Sequence, residues 1–277
     1  MNGVTLTLKR EPKASIDCRS LLPESLCEMA AQEIAELVLS EGREMQSVGD
    51  LFDIEVASGE QHLRIKGATA ALTYIGAGMS RGRLIVDGDA GDYVGYDLSD
   101  GELIVNGNVE AFAGSGQKDG LIHIKGSAGD YAGGAADTKM QGLKGGTLMI
   151  SGACGNYLGY KMRRGIIIAH DFVGDHCANN MIAGTIILGN RCGANLGLGM
   201  RRGTVIFLEK LNLDKIKQEL PTFNLSGSFS LPIMTVLRHH LHETNHHIAM
   251  RLAKIQSVNR YCGDLGYDGQ GEILVAN

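Results

Sequence analysis

The sequence predicts a mainly β protein whose body is a right-handed parallel β-helix with about 19 residues per coil. Glycine accounts for 39 of the 277 residues, roughly twice the average usage of ~7%. One of these glycines recurs at a nearly constant interval, and apolar residues follow it at alternate positions, which is the periodicity of a strand. Only four residues are proline, so the chain is neither collagen-like nor a disordered Pro/Gly-rich polymer.

An alignment on the recurring glycine reveals seven repeat units. All but one of the intervals between successive starts equal a single 19-residue period, and the interval from Gly120 to Gly146 is longer by a seven-residue insertion within AADTKMQGLK. We expect three short strands per coil, separated by glycine corners, with coils stacked at the ~4.8 Å spacing of paired strands. The units begin at Gly82, Gly101, Gly120, Gly146, Gly165, Gly184 and Gly203.

The apolar positions of each unit predict which side chains fill the interior. The second and fourth residues after the leading glycine form a pair of inward columns, from Leu84 and Val86 in the first unit to Val205 and Phe207 in the last. Stacking turns each column into a continuous apolar ladder, so we expect a solid rod. A column of small apolar residues follows in six units: Ala90, Val109, Ala128, Cys154, Val173 and Cys192.

The composition excludes several classes of protein. Lys plus Arg number 26 against 31 Asp plus Glu, and the net charge of −5 argues against a general nucleic-acid or anionic-membrane binder. No stretch approaches the ~18 apolar residues of a membrane span, and the first residues lack the apolar core of a secretory signal. Six cysteines without CxxC spacing indicate thiols in a reducing compartment. We therefore expect a cytoplasmic protein.

The flanking segments do not follow the repeat. We place an N-terminal α/β cap at residues 1–60, the β-helix at 61–210, and a C-terminal helical extension with a tail at 211–277. Within the cap, a helix with proline in its first turn and one apolar face is predicted over 23–40. A second helix is predicted over 232–257. Flanks of this kind cover strand edges that the ends of a solenoid otherwise expose.

The second predicted helix contains an HExxH pattern from His242 to His246. Two imidazoles one helical turn apart are able to share a zinc ion while Glu243 serves as general base, so a zinc hydrolase is one hypothesis. Five histidines within nine residues make the pattern easy to obtain by chance, and no G-x-x-H continuation follows. We favour a solvated or partner-facing helix rich in histidine.

A basic column lies just before the leading glycine. The doublets Arg163-Arg164 and Arg201-Arg202 are two coils apart, which places them about 10 Å from each other on one edge of the rod. Such an edge suits a polyanionic chain or an acidic partner, although a solvated corner is the more ordinary interpretation. The column also contains Arg81 and Lys144, and it is interrupted by Asp100, Asp119 and Ala183.

Two further columns carry aromatic or acidic side chains. The aromatic column occupies four successive coils, and we interpret it as a ladder that stiffens the stack; an interface patch is the alternative. The aspartates share a column but never in adjacent coils, so paired carboxylates acting on sugars are poorly supported. The aromatic column contains Tyr93, Phe112, Tyr131 and Tyr157, with Tyr96 and Tyr160 three residues on, and the aspartates are Asp92, Asp130 and Asp175.

The glycine-marked coils are similar to a known family. GRLIVDGDAGDYVGYDLSD, GTLMISGACGNYLGYKMRR and GTIILGNRCGANLGLGMRR resemble the GXGXG domain of the large glutamate synthase subunit and of the C subunit of formylmethanofuran dehydrogenase. A chain that is little more than the solenoid, a short cap and a helical tail resembles the C subunit. The tail from Arg260 to Leu274 resembles the bacterial form, which belongs to the formyltransferase/hydrolase complex. The archaeal tungsten- or molybdenum-dependent enzyme is the alternative.

This resemblance implies a non-catalytic scaffold subunit in a hetero-oligomer. The implied partners are the hydrolase-type A subunit, the B subunit and the formyltransferase D subunit, which convert formyl-tetrahydromethanopterin through formylmethanofuran or an analogue to formate. A methanofuran-type carrier and zinc are expected in those partner subunits, and neither is expected to be bound firmly by this chain. Nucleic acid and membrane are not expected partners. Because carriers in this family have glutamate-rich tails, the resemblance suggests that such a tail contacts Arg163, Arg164, Arg201 and Arg202.

Overall fold

The computed structural model describes residues 2–137, 139–210, 220, 222–230, 232–242 and 246–277. The helices in this part of the chain are α1 (Pro23–Leu26), α2 (Ala31–Glu36), α3 (Val48–Leu51), α4 (Ile233–Leu241) and α5 (His246–Lys254). The strands are β1 (Asn2–Leu8), β2 (Ile16–Asp17), β3 (Val38–Glu41), β4 (Glu44–Ser47), β5 (Phe52–Ser58), β6 (His62–Ala68), β7 (Leu72–Thr73), β8 (Arg83–Gly88), β9 (Glu102–Val105), β10 (Leu121–Ile124), β11 (Thr147–Ile150), β12 (Ile166–Ala169), β13 (Thr185–Leu188), β14 (Thr204–Phe207), β15 (Asn224–Phe229), β16 (Val258–Gly263) and β17 (Gly271–Ala276).

Within the described residues, thirteen strands form one sheet in the order β15-β16-β17-β14-β13-β12-β11-β10-β9-β8-β6-β1-β5. Every pairing from β1 through β6, β8 and onward to β14 and β17 is parallel, and the outermost pairings at both ends are antiparallel. Equivalent residues of successive coils are opposite each other, as Leu84 is to Leu103 and Leu103 to Ile122. The predicted stack of parallel coils is confirmed.

The interior of the stack is filled with apolar side chains. The residues two and four positions after each leading glycine are no more than 2% exposed. Burial of a large apolar side chain contributes roughly 1.5–3 kcal/mol to folding, so these two columns supply much of the driving force. They consist of Leu84, Val86, Leu103, Val105, Ile122, Ile124, Leu148, Ile150, Ile167, Ala169, Ile186, Leu188, Val205 and Phe207.

Each of the six coils that begin at Gly82 to Gly184 contains one regular strand and one bridged residue, so the expectation of three strands per coil was wrong. The bridged residues are the predicted small apolar column, from Ala90 opposite Val109 to Val173 opposite Cys192. The third segment turns instead of extending, because alternate residues have left-handed backbone conformations that no strand contains. In one coil these residues are Tyr93, Gly95 and Asp97, with φ of 62°, 65° and 52°.

One glycine column sets how closely the coils approach. Gly107 and Gly126 follow the strands of neighbouring coils, and the Gly126 N–H donates to the Gly107 carbonyl at 3.0 Å. A Cβ added at Gly107 would overlap the carbonyl oxygen of Gly88 in the coil before it. Backbone packed on backbone leaves no room for a side chain, so glycine is required here for close approach.

The N-terminal cap contains two short helices and a hairpin where one helix was predicted over 23–40. Helix α1 begins at Pro23 as expected, but β3 occupies the end of the predicted helix and pairs with β4. A turn at Gly42, with φ of 61°, joins the two strands. The hairpin buries Leu39 and leaves Val38 53% exposed, which is alternation with a strand period. A continuous helix would forfeit this pairing.

A buried carboxylate fastens the hairpin to the rest of the cap. Glu41 accepts hydrogen bonds from both terminal nitrogens of the Arg10 guanidinium, at 2.9 and 2.6 Å, and from the Lys13 N–H at 2.6 Å. The hydrogen bond from Arg10 is the main cause that lowers the pKa of Glu41 to about 2. The carboxylate therefore remains ionised at neutral pH, as its bidentate contact requires.

The C-terminal tail adds a rung that was not predicted. Strand β17 pairs in parallel with β14, and Ile273 and Val275 continue the inward columns at 0% and 1% exposure. Its sequence, GEILV, differs from the GELIV of the second unit only in the order of two aliphatic residues. The signal was obscured because Gly271 lies several periods beyond Gly203 along the chain. The boundaries at 60 and 210 stay predictions, and strands from both flanks lie in the main sheet.

A buried aspartate holds the C-terminal end of the rod together. Asp264 is fully buried and accepts hydrogen bonds from the N–H groups of Gly199 and Gly266 at 2.9 and 3.0 Å. Burial raises the pKa of Asp264, but the hydrogen bonds from Gly199, the Thr222 hydroxyl and Gly266 together outweigh this effect. The pKa of Asp264 is therefore lowered overall. The ionised carboxylate thus connects the repeat that begins at Gly184 to the tail.

The glycine column predicts a sharp difference between two glycine substitutions. We expect Gly107→Ala to destabilise the chain by about 3 kcal/mol, because the new methyl group forces two coils apart. Gly78→Ala is the control, since Gly78 has φ of 74° and open space where its Cβ would lie; it is expected to cost about 1 kcal/mol from backbone conformation alone. Urea denaturation of the full-length chain measures both changes, and equal losses would contradict the close-approach explanation.

Candidate functional surfaces

The four arginines of the predicted basic column lie exposed on one corner of the rod. Each doublet immediately precedes a strand, β12 for Arg163 and Arg164 and β14 for Arg201 and Arg202. Because β13 separates these strands, the doublets are about 10 Å apart by the strand spacing. Arg163 donates to the Gln141 side chain at 3.3 Å, and none of the four pairs with a carboxylate of the described residues.

The same corner changes its charge along the rod. A shallow groove of about 670 Å³ runs over the starts of the strands from β8 to β12, with a floor formed largely by the leading glycines. Arg83, Asp100, Glu102 and Asp119 line its N-terminal part, where Arg83 pairs with Glu102 at 2.9 Å, and Arg164 lines its other end. The aspartate carboxylates accept hydrogen bonds from the N–H groups of the glycines that follow them, at 2.7 and 2.9 Å. Asp100 and Asp119 form no ion pair with a described residue, so an anionic chain is favoured more on the later coils than on the earlier ones.

The column of aspartates stabilises the backbone between coils. Asp92 accepts a hydrogen bond from the Ala111 N–H at 2.9 Å, and Asp175 accepts one from the Ala194 N–H at 2.8 Å. Asp130 binds the next coil in the same way, through the N–H of Asn156 at 2.7 Å. Each carboxylate satisfies a backbone donor of the following coil, so the column has a structural role and forms no acid–base pair.

The predicted aromatic ladder is present and contains two rings more than the four predicted. Tyr74 and His176 extend it at its two ends, one coil before Tyr93 and one coil after Tyr157, positions that the repeat itself would have indicated. The distances between successive ring centroids are 4.6, 5.0, 5.1, 4.7 and 4.7 Å, and adjacent rings are within 12° of parallel. Stacking offsets the strain of left-handed φ angles at this column.

A second row of tyrosines packs edge-on against the ladder. Tyr96 meets Tyr93 with an interplanar angle of 86°, and Tyr160 meets Tyr157 at 80°. Lysine ammonium groups lie over both outer rings, Lys139 over Tyr96 at 5.1 Å and Lys161 over Tyr160 at 4.8 Å. Burial raises the pKa of Tyr93 in the ladder, as it does for Tyr131. These phenols remain neutral hydrogen-bonding groups at physiological pH.

The seven-residue insertion folds across this aromatic face. Lys139, from the insertion, donates to the Asp97 carboxylate at 2.7 Å, and Ala135 and Ala136, at the start of the same segment, are buried. Met140 projects from the insertion and is 82% exposed. Between the insertion and the later rings of the ladder lies a cavity of about 450 Å³.

The helices of the C-terminal extension cover part of the outer face of the sheet. The outward side chains of β11 to β14 and β17 are buried beneath α4 and α5, whereas the equivalent Ile85 and Ile104 of β8 and β9 are only half-buried. The outward side chains of these earlier strands therefore stay partly exposed to solvent. The covered cluster contains Met149, Ile168, Ile187, Ile206, Leu274, Met234, Leu237, Leu241, Ile248, Ala249 and Leu252.

The histidine-rich segment is only partly within the described structure. Residues 243–245 of the HExxH pattern lie outside the described residues, so the zinc-hydrolase hypothesis stays a prediction. His247 stacks on His170 of the outer sheet face with ring centroids 5.9 Å apart. Burial is the main cause that lowers the pKa of His170, and the charges of His247, His123 and Arg251 lower it further.

The described residues hold neither a metal-binding cluster nor a membrane-spanning helix. No group of three or more His, Cys, Asp or Glu side chains in these ranges is placed to hold a metal ion. None of the helices in the same ranges has the length and apolar character needed to cross a membrane. The six cysteines, all of which lie in the described ranges, form no disulfide.

The ladder predicts that Phe112 tolerates only another ring. Phe112 is stacked between Tyr93 and Tyr131, so Phe112→Ala removes two ring contacts and is expected to destabilise the chain by about 2 kcal/mol. Phe112→Tyr is the matched control, because neighbouring coils carry tyrosine in this column, and it is expected to leave stability unchanged. Thermal unfolding of the two variants measures the difference. Equal stability of Phe112→Ala and the parent chain would contradict a stabilising role for stacking.

Comparison with known proteins places this architecture in a family. The model of the GXGXG motif matches residues 52–261. The C subunit of the formyltransferase/hydrolase complex Fhc of Methylorubrum extorquens is 45% identical over 273 residues, which is 98% of each chain. A chain in the crystal structure of the formyltransferase/hydrolase complex FhcABCD from M. extorquens, in complex with methylofuran, superimposes with a TM-score of 0.89 and 37% identity over 99% of both chains.

Archaeal relatives match over a shorter segment. The C subunit of tungsten-containing formylmethanofuran dehydrogenase 2 from Methanococcus maripaludis is 30% identical over 92 residues, 33% of this chain and 34% of the relative. The match therefore spans about a third of the length of that relative. The chain belongs to the GXGXG family and, within it, to the family of the C subunit of the formyltransferase/hydrolase complex, which it resembles over nearly its whole length.

Proposed function

We propose that the chain is the C subunit of a formyltransferase/hydrolase complex, in which it serves as a non-catalytic scaffold. The observation that carries this proposal is the similarity over 98% of the chain to the Fhc subunit and over 99% to a chain of the assembled FhcABCD complex. This similarity includes the cap, the coils and the tail, the elements through which we expect such a subunit to meet its neighbours. The complex would carry a formyl group from formyl-tetrahydromethanopterin through a methanofuran-type carrier to formate.

The physical properties of the rod support a scaffold role. Its interior is occupied by aliphatic side chains, and its polar columns bind the backbone of neighbouring coils. A body connected coil to coil by parallel pairing resists bending, so partners docked on separate walls keep a fixed relation to each other. The half-buried Ile85 and Ile104 leave part of one wall open for such docking.

Co-purification tests the proposal directly. We expect the untagged chain to purify from its native cell with a hydrolase-type A subunit, a B subunit and a formyltransferase D subunit, without molybdopterin or tungstopterin. Mass spectrometry identifies the subunits, and elemental analysis measures the metals. Recovery with a tungsten or molybdenum subunit would favour the archaeal type of enzyme, whose curated relative matches only a third of this chain. Recovery of the chain alone would contradict the scaffold role.

We also propose that the arginine corner guides the glutamate-rich tail of the carrier between active sites in partner subunits. Arg163, Arg164, Arg201 and Arg202 are exposed on later coils, and on the earlier ones Asp100 and Asp119 line the same corner, where Arg83 is paired with Glu102. This polarity would keep an anionic tail on the C-terminal half of the rod. The carrier and zinc would be held by the partners, and this chain would supply only the electrostatic path.

Neutralising the corner is expected to slow formyl transfer without dissociating the complex. Replacing Arg163, Arg164, Arg201 and Arg202 with glutamine should lower turnover of the assembled complex about three- to tenfold at low salt, with a smaller difference at high salt because exposed charges are screened. The control replaces Arg43 and Arg191, two exposed arginines outside the corner, with glutamine. Steady-state turnover is measured alongside gel filtration. Unchanged turnover in the intact complex would dismiss the electrostatic path.

A further inference from the structure

The cavity beneath the seven-residue insertion is separate from the arginine corner and from the covered sheet face. It occupies about 450 Å³ beside the later rings of the aromatic ladder, with Tyr131, Tyr157 and His176 in one wall. The insertion interrupts a strict 19-residue period only here. Insertions in repeat proteins map to loops on one face, and that face is often used for binding.

Two nitrogen-bearing side chains of this cavity, Lys161 and Asn179, are available to a ligand, and the His176 ring lies beside them. Lys161 lies over the Tyr160 ring and forms no ion pair with any described residue. Asn179 is only 6% exposed, and because its carbonyl oxygen already accepts from the Asn180 side chain at 2.6 Å, its amide nitrogen is left for the cavity. The Nδ1 atom of His176 is buried and has no hydrogen-bond partner among the described residues.

The aromatic wall of the cavity, like these nitrogen-bearing side chains, favours a negatively charged ligand. The rings of Tyr131, Tyr157 and His176 stack face to face along the rod, within 5° of parallel, so a cavity beside them meets ring edges. Aromatic edges carry partial positive charge, whereas the faces carry negative charge. Ring edges, an ammonium group and an amide nitrogen therefore favour an anion at this end of the cavity.

The other residues of the cavity limit the ligand to one negative charge. Lys139 contributes no free cation, because the Asp97 carboxylate binds its ammonium group. Asp137 lines the cavity as an exposed carboxylate and would repel a second negative charge. Leu198, which is 39% exposed, supplies apolar surface against which a flat body can pack. We propose that this cavity binds a small organic monocarboxylate with a flat apolar body, its carboxylate held by Lys161 and Asn179.

Titration calorimetry of benzoate into the full-length chain at low salt tests this site. We expect saturable binding to one site with a dissociation constant of about 1 mM, and binding of benzamide, which has the same ring without the charge, to be at least about tenfold weaker. Lys161→Met, which keeps the apolar stem, should weaken benzoate binding about tenfold. Lys118→Met, at an exposed lysine outside the cavity, should leave it unchanged.

A second variant keeps the test independent of lysine chemistry. Asn179→Asp preserves the size of the side chain and places a negative charge in the cavity, so it should abolish benzoate binding while thermal unfolding confirms a folded chain. No saturable heat at about 20 mM benzoate, equal affinity for benzamide, or equal losses in the two lysine variants would overturn the proposal. These measurements use the chain alone, so their outcome is separate from whether it assembles into a complex.

Discussion

The distance between successive coils is the constraint on which the rest of the molecule depends. Coils join through backbone hydrogen bonds at nearly every step, such as Gly126 N–H to the Gly107 carbonyl at 3.0 Å. This spacing forces glycine where backbone meets backbone, aligns aliphatic side chains into interior columns and holds aromatic rings within stacking distance. The same spacing determines how far apart the two arginine doublets lie. A single geometric period thus fixes the core, the ladder and the exposed corner together.

Features that repeat at the period could be predicted from the sequence, and features that break it could not. The inward columns, the bridged column and the ladder follow from stepping along the chain by one coil at a time. The extent of the cap helix was predicted wrongly, because the local apolar spacing over 23–40 does not reveal that Val38–Glu41 forms a strand of a hairpin. Strand β17 was missed since its pairing with β14 is non-local, although its GEILV sequence has the composition of a coil strand.

Among the candidate functional surfaces, too, some features could be predicted from the repeat and others could not. The arginine corner was predictable, since it occupies one column of the repeat. The cavity beside the ladder was not, because it is formed by the insertion folding back on Tyr160 and its neighbours. Which wall stays open also depends on tertiary packing: only the docked helices α4 and α5 distinguish the buried Ile168 from the half-buried Ile104. Periodicity gives the column of a side chain but not what covers it.

The aromatic ladder also gives the molecule an intrinsic optical signature. The chain has no tryptophan and eight tyrosines, and six of them, including Tyr74, Tyr96 and Tyr160, lie in or against the stacked column. Aromatic rings held nearly parallel at 4.6–5.1 Å couple their electronic transitions, so near-ultraviolet circular dichroism arises chiefly from this one wall. Loosening of the coil stack would therefore change the near-ultraviolet circular dichroism spectrum, which can be recorded without any label attached to the protein.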